Sequence, residues 1–220
     1  DDNDADGNKA YAISLSSETD GVDTEKVNPA VTTFAGSGNS GSANGTGTSA
    51  SFNKPSGITT DGTNLYVAER DNHVIRKIVI STGAVTTIAG SAGSYGSTNG
   101  TGTSARFYYP RAITTDGTSL YVADQNNHTI RKIVISTGAV TTIAGYAGSY
   151  GSTDGTGTSA RFKYPSGITI VGTNLYVSDQ SNNKIRKIVI ATGEVTTFAG
   201  SGSWGSANGT GTAASFNSPQ

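Results

Sequence analysis

The run Asp2-Asn3-Asp4-Ala5-Asp6-Gly7 sets carboxylates at positions one, three and five of a calcium-type loop and a glycine at position six. That spacing lets an EF-hand loop wrap a hard cation in oxygen ligands. The twelfth position is Ile13, which lacks the closing bidentate carboxylate. Calcium held by Asp2, Asp4 and Asp6 therefore stands beside a solvated acidic tail as an open alternative, and no other cofactor is expected. Cysteine is absent, which removes disulfides, thiolate metal sites and thiol nucleophiles together.

The two histidines, His73 and His128, occupy one slot of a repeating pattern, and the next repeat places Asn183 there. A catalytic base would not recur once per repeat and then become an amide, so the expectation is a polar turn residue before a strand. Arg76, Arg131 and Arg186 recur in otherwise apolar strands, with Glu69, Asp124 and Asp179 as their expected partners in a structural network between repeats. No P-loop, nucleophile elbow, zinc-protease helix or dinucleotide fingerprint stands in a credible context. The chain reads as non-enzymatic.

These residues are set in a long repeat. Val-Thr-Thr-(Phe/Ile)-Ala-Gly begins at Val31, Val85, Val140 and Val195, at spacings of 54, 55 and 55 residues. Leu-Tyr-Val recurs at Leu65, Leu120 and Leu175, and Ile-Arg-Lys-Ile-Val-Ile at Ile75, Ile130 and Ile185. Each unit alternates β-branched runs with turn signals such as Asp61-Gly62 and Ser81-Thr82-Gly83, which predicts four antiparallel strands. A fixed period of four-stranded units is the signature of a β-propeller blade. No segment offers the three- and four-residue spacing of a helical array, whereas a parallel β-helix remains an alternative. Long Gly/Ser/Thr segments join the units, and Phe52, Phe107, Phe162 and Phe216 recur in them as expected anchors against the blades.

Composition agrees with this reading. The chain of 220 residues holds 30 Gly, 27 Ser and 32 Thr, which suits short strands and many turns. Hydrophobic residues at 34% can form a core if strands concentrate them. Fifteen Lys and Arg against sixteen Asp and Glu give a net charge of −1, so there is no overall field to gather nucleic acid, and none is expected as a partner. No apolar run approaches the roughly 20 residues of a membrane-spanning helix, and no membrane insertion is expected. Methionine is absent even at position 1, so the chain is expected to be a processed form or a fragment.

The strings Pro55…Asn72-His73-Val74-Ile75-Arg76-Lys77, Pro110…Asn127-His128-Thr129-Ile130-Arg131-Lys132 and Pro165…Asn182-Asn183-Lys184-Ile185-Arg186-Lys187 resemble the NHL repeat. The resemblance covers residues 31–220 and implies an all-β propeller of four-stranded antiparallel blades, at about 55–90, 110–145 and 165–200, with partial strands at either end. Residues 1–30 form an acidic extension outside the repeats, and the alternating Tyr11-Ala12-Ile13-Ser14-Leu15 suits a donated strand, given within its own chain or to a neighbour. Three full blades leave apolar flanks, which a longer ring, a second copy in a closed assembly or an open filament would cover.

Positions that differ between repeats are the candidate binding residues, because what recurs builds the blade. Tyr108, Tyr109 and Arg111 replace the smaller or charged residues of the first unit, Tyr164 does so in the third, and Arg70 should lie near them. Tyr95, Tyr150 and Trp204 tip the long loops. Tyr, Trp and Arg are the types that anchor protein and carbohydrate contacts. The resulting expectation is a secreted or cell-surface scaffold that binds protein partners, carbohydrate or further copies of itself. The alternative is a fragment of a propeller lyase or hydrolase whose catalytic metal site lies in blades outside this chain.

Overall fold

A computed structural model describes residues 10–12 and 30–220. Strand β1 (Ala10–Ala12) pairs antiparallel with β2 (Thr32–Ala35) of the same chain. The remainder of the expected donated segment lies outside the described residues, as do Asp2, Asp4 and Asp6.

Three successive sheets follow. The first blade contains β3 (Gly45–Thr46), β4 (Pro55–Thr60), β5 (Asn64–Glu69), β6 (Val74–Val79) and β7 (Ala84–Ala89). The second contains β8 (Gly100–Thr101), β9 (Pro110–Thr115), β10 (Ser119–Asp124), β11 (Thr129–Val134) and β12 (Ala139–Ala144). The third contains β13 (Gly155–Thr156), β14 (Pro165–Val171), β15 (Asn174–Asp179), β16 (Lys184–Val189) and β17 (Glu194–Ala199). The four long strands of each blade form an antiparallel meander, as the repeat predicts. The sheets nevertheless have five strands, because two residues of each long loop add to the outer edge, as Gly100 and Thr101 do opposite Val140 and Ala139. Gly and Thr carry no strand signal of their own. The loop leaving one blade reaches the outer edge of the next blade before turning inward to its first strand, which covers an edge that would otherwise stay unpaired.

Alternation along the strands divides each blade between two cores. Tyr66, Ala68 and Ile75 face the second blade and pack with Ile113, Leu120, Val122 and Ile133. Tyr121, Ala123 and Ile130 face the third and pack with Leu175, Val177 and Ile188. Successive side chains point to opposite faces, so the run Leu-Tyr-Val serves both joints of its blade. Phe107 and Phe162 are fully buried in these joints, and Phe52 is fully buried in the cluster ahead of the first blade.

The inner hairpins of the first two blades close on an aspartate. Oδ1 of Asp61 accepts the N–H groups of Thr63 at 2.8 Å and Asn64 at 2.7 Å, while the hydroxyl of Tyr66 donates to Oδ2 at 2.8 Å. Asp116 does the same for Thr118, Ser119 and Tyr121. In the third blade Val171 stands at that position, and β14 extends through it.

Candidate functional site

The arginine network takes a more local form than the sequence suggests. Arg131 pairs with Asp124 at 2.9 Å, both side chains being fully buried, and the two residues sit on adjacent strands of one blade. The other guanidinium nitrogen donates to the carbonyl of Thr98 and to Asn99, and the cation lies 5.2 Å from the Phe107 ring. Asp124 also accepts the N–H of Tyr108 at 2.7 Å and the amide of Asn127. Arg186 with Asp179, and Arg76 with Glu69, repeat the arrangement. The network therefore works within a blade, binding it to the loop that arrives from the preceding one. Burial pushes the Asp124 carboxyl up to about 6 despite Arg131 and these hydrogen bonds, and Glu69 and Asp179 are raised for the same leading reason.

The connection between the second and third long strands carries the histidines. His73 has φ 60° and His128 φ 59°, both in the left-handed region, which turns each ring toward the following blade. There the N–H of Tyr109 donates to Nδ1 of His73 at 3.3 Å, and that of Tyr164 to Nδ1 of His128 at 3.2 Å. In the third blade the N–H of Ser218 donates to Oδ1 of Asn183 at 2.9 Å. The change from His to Asn keeps a single requirement, an acceptor at the joint. Because Nδ1 accepts, each histidine is neutral with its proton on Nε2. Burial lowers the pKa of both imidazoles, the nearby charge of Lys163 lowers His128 further, and Asp71 partly opposes the effect at His73.

Aromatic residues gather on this clasp. Around His73 stand Tyr95, Tyr108 and Tyr109, with ring centroids 5.8, 5.7 and 4.9 Å away. Tyr95 stacks on Tyr108 at 4.6 Å, and the Arg70 guanidinium lies 5.1 Å from the Tyr109 ring. Around His128 stand Tyr150 at 5.6 Å and Tyr164 at 4.6 Å, with the Lys163 ammonium 5.3 Å above Tyr150. The structure thus brings together Arg70, Tyr95, Tyr108 and Tyr109 in one cluster, and Tyr150 and Tyr164 in a second. Trp204 is 75% exposed on the equivalent loop of the third blade. Arg111 stands apart from the rings and donates to Gln220 at 2.6 Å. Sequence reasoning left out the histidines as organising centres, and with them Lys163, Arg161 and Tyr146. Their recurrence at one slot was the available signal. Among the described residues no group of three His, Asp or Glu side chains gathers as a metal site, and no helix is long and apolar enough to cross a membrane.

Sheets stacked face to face with twofold-alternating cores, inner hairpins and an outer loop strand define a segment of a β-propeller. Its repeats are NHL repeats. NHL repeat-containing protein 2 of Bos taurus is 31% identical over 180 residues, which are 75% of this chain and 25% of that protein. The chain thus spans about a quarter of that relative's length. Among solved structures, a Bacteroides thetaiotaomicron protein of unknown function matches with a TM-score of 0.62 and 27% identity, over 76% of this chain and 41% of the other. An auxiliary nutrient binding protein of Bacteroides ovatus matches with a TM-score of 0.61 and 21% identity, over 77% and 43%. No family model matches the chain.

Proposed function

We propose that this chain is a non-catalytic interaction and assembly scaffold, secreted or carried on the cell surface, whose outer blades join further copies of itself. The observation that supports it is a repeated face. Tyr66, Ala68, Ile75 and Ala89 are fully buried against the second blade, and Tyr121, Ala123, Ile130 and Ala144 fully buried against the third. The counterparts Tyr176, Ser178, Ile185 and Ala199 are only half-buried, and Phe198 beside them is 54% exposed. On the opposite flank Ile58 is 54% exposed where its counterpart Ile113 is 5%.

The two flanks are the halves of a joint that the molecule already makes twice. Covering a large apolar side chain is worth about 1.5–3 kcal/mol, so several such residues favour docking of one copy's third blade on another's first. Light scattering on the 220-residue chain tests this. A mass of two or more copies at micromolar concentration is expected, and a monomer at every accessible concentration would overturn the assembly reading. Catalysis has no part in the proposal, since the buried carboxylates and both histidines are engaged in structural bonds.

A further inference from the structure

We propose that the loop face of the blades binds an extended acidic polysaccharide, with aromatic rings taking the sugar faces and neighbouring cations taking the carboxylates or sulfates. The proposal deepens the binding half of the reading above and is independent of self-assembly.

Tyr95, Tyr150 and Trp204 occupy the same place in three successive loops, and their exposures are 65%, 63% and 75%. Their backbones are fixed. The glycine after each ring donates its N–H to the carbonyl of the loop phenylalanine, Gly96 to Phe107 and Gly151 to Phe162 at 3.1 Å, and Gly205 to Phe216 at 3.0 Å. Tyr95 is further backed by Tyr108, and Tyr150 by the edge of His128. Large rings held outward on a rigid support are poor core residues and good platforms, because little ordering remains to oppose binding. The C–H faces of a pyranose supply the flat, weakly apolar surface that such rings accept. One ring per blade, with sheets packed about 10 Å apart, requires a ligand that is extended if it is to touch two of them.

Charge selects the kind of polysaccharide. Lys163 lies over Tyr150, Arg161 lies 4.9 Å from the half-exposed Tyr146 ring, and the stem of Arg106 runs beside Gly96. Among the described residues no carboxylate pairs with Arg106, Arg161 or Lys163. The acids at this end of the blades are committed. Glu69, Asp124 and Asp179 are buried against arginines, Asp154 in the Tyr150 loop pairs with Arg186 at 2.7 Å with its side chain 48% exposed, and Asp71 pairs with Lys54 at 3.3 Å and Arg70 at 3.5 Å. The loop face is therefore locally cationic on a molecule of net charge −1. That favours a polymer with spaced charges alongside apolar sugar faces over a nucleic acid, whose dense phosphates call for a broad basic field.

Trp204 is the single tryptophan and therefore reports on its own site. Titrating the chain with polygalacturonate and with dextran sulfate should shift or quench Trp204 emission, while neutral dextran leaves it unchanged. Affinity electrophoresis in gels containing the same polymers should show retardation by the acidic ones. Tyr150→Ala should weaken that retardation about tenfold at most, and Lys163→Gln should weaken it and flatten its salt dependence. Both side chains are at the surface, and unchanged thermal melting would confirm that the variants fold. Equal response to neutral dextran, stronger retention by poly(U) than by either acidic polysaccharide, or no response to any polymer would each overturn the proposal. A chain that self-associates but fails here would leave the assembly reading intact.

Discussion

The N–H of Tyr164 donates to Nδ1 of His128 across the joint between the second and third blades, at 3.2 Å. The same bond recurs from Tyr109 to His73, and from Ser218 to the amide of Asn183. A position that varies between an imidazole and an amide is thus constant in what it does.

The clasp makes stability depend on pH. Burial holds both imidazoles below their ordinary value of 6.5, so as pH falls the unfolded chain takes up these protons first. The stability they support is complete above about pH 6.5 and is lost as pH drops through the folded value. Asp124, raised to about 6, has the opposite sign, since its contribution declines between about pH 4 and pH 6. Comparing the native chain with His73→Asn/His128→Asn isolates the histidines. Chemical denaturation should show the variant gaining on the native chain as pH is lowered from 7 to 5.

Arg131→Leu should cost about 3–5 kcal/mol, because it leaves the Asp124 carboxylate buried without its cation. It also frees the carbonyls of Thr98 and Arg106, so the loop between the first two blades should lose protection from hydrogen exchange. An effect below about 1 kcal/mol would mean that the pair is far better hydrated than its geometry indicates.

Gly145 has φ 87°, and a Cβ there would fall 2.4 Å from the His128 carbonyl and 3.1 Å from the Phe162 ring. Gly145→Ala should therefore lower stability by about 3 kcal/mol or more, combining left-handed strain with overpacking. Gly148 has φ 77° with nothing near a Cβ, so Gly148→Ala should cost only the strain, about 1 kcal/mol. Thermal unfolding of the two variants separates these contributions.

The third blade lacks the aspartate that closes its neighbours. In the first blade burial tends to raise the Asp61 carboxyl, but hydrogen bonds from Asn64, Thr63 and Tyr66 outweigh it and hold the group well below the usual range. Burial and then Asp61 push the Tyr66 phenol up. Val171→Asp should supply the same acceptor to Tyr176 and stabilise the chain by about 1 kcal/mol near neutral pH. Since this carboxyl would be depressed in the fold, the gain should vanish as pH falls below about 4. Melting temperatures at pH 7 and pH 3 provide the check.

Much of this architecture could be read in the repeat. Val-Thr-Thr-(Phe/Ile)-Ala-Gly marks the outer long strand, Leu-Tyr-Val alternates between two joints, and the arginines meet the carboxylates their positions suggest. The edge strand at Gly100–Thr101 was illegible, because its pairing depends on where a loop lands and not on β propensity. The aromatic positions were visible as departures from the repeat. Their grouping was not, since Tyr95 and Tyr108 lie apart in the chain yet stack on each other and meet the edge of the His73 ring, which a left-handed turn aims at them, and no local pattern marks that turn.

The central claim is that the outer face of the third blade is one half of a joint. Ser178 lies on that face, and the chain has no cysteine, so Ser178→Cys introduces a lone thiol there. Its maleimide labelling rate should fall as protein concentration rises and the face becomes covered, while Ser203→Cys on an exposed loop labels at a constant rate. Equal, concentration-independent labelling at both positions would show that the face stays bare, and the account of this molecule as a self-joining propeller segment would fail.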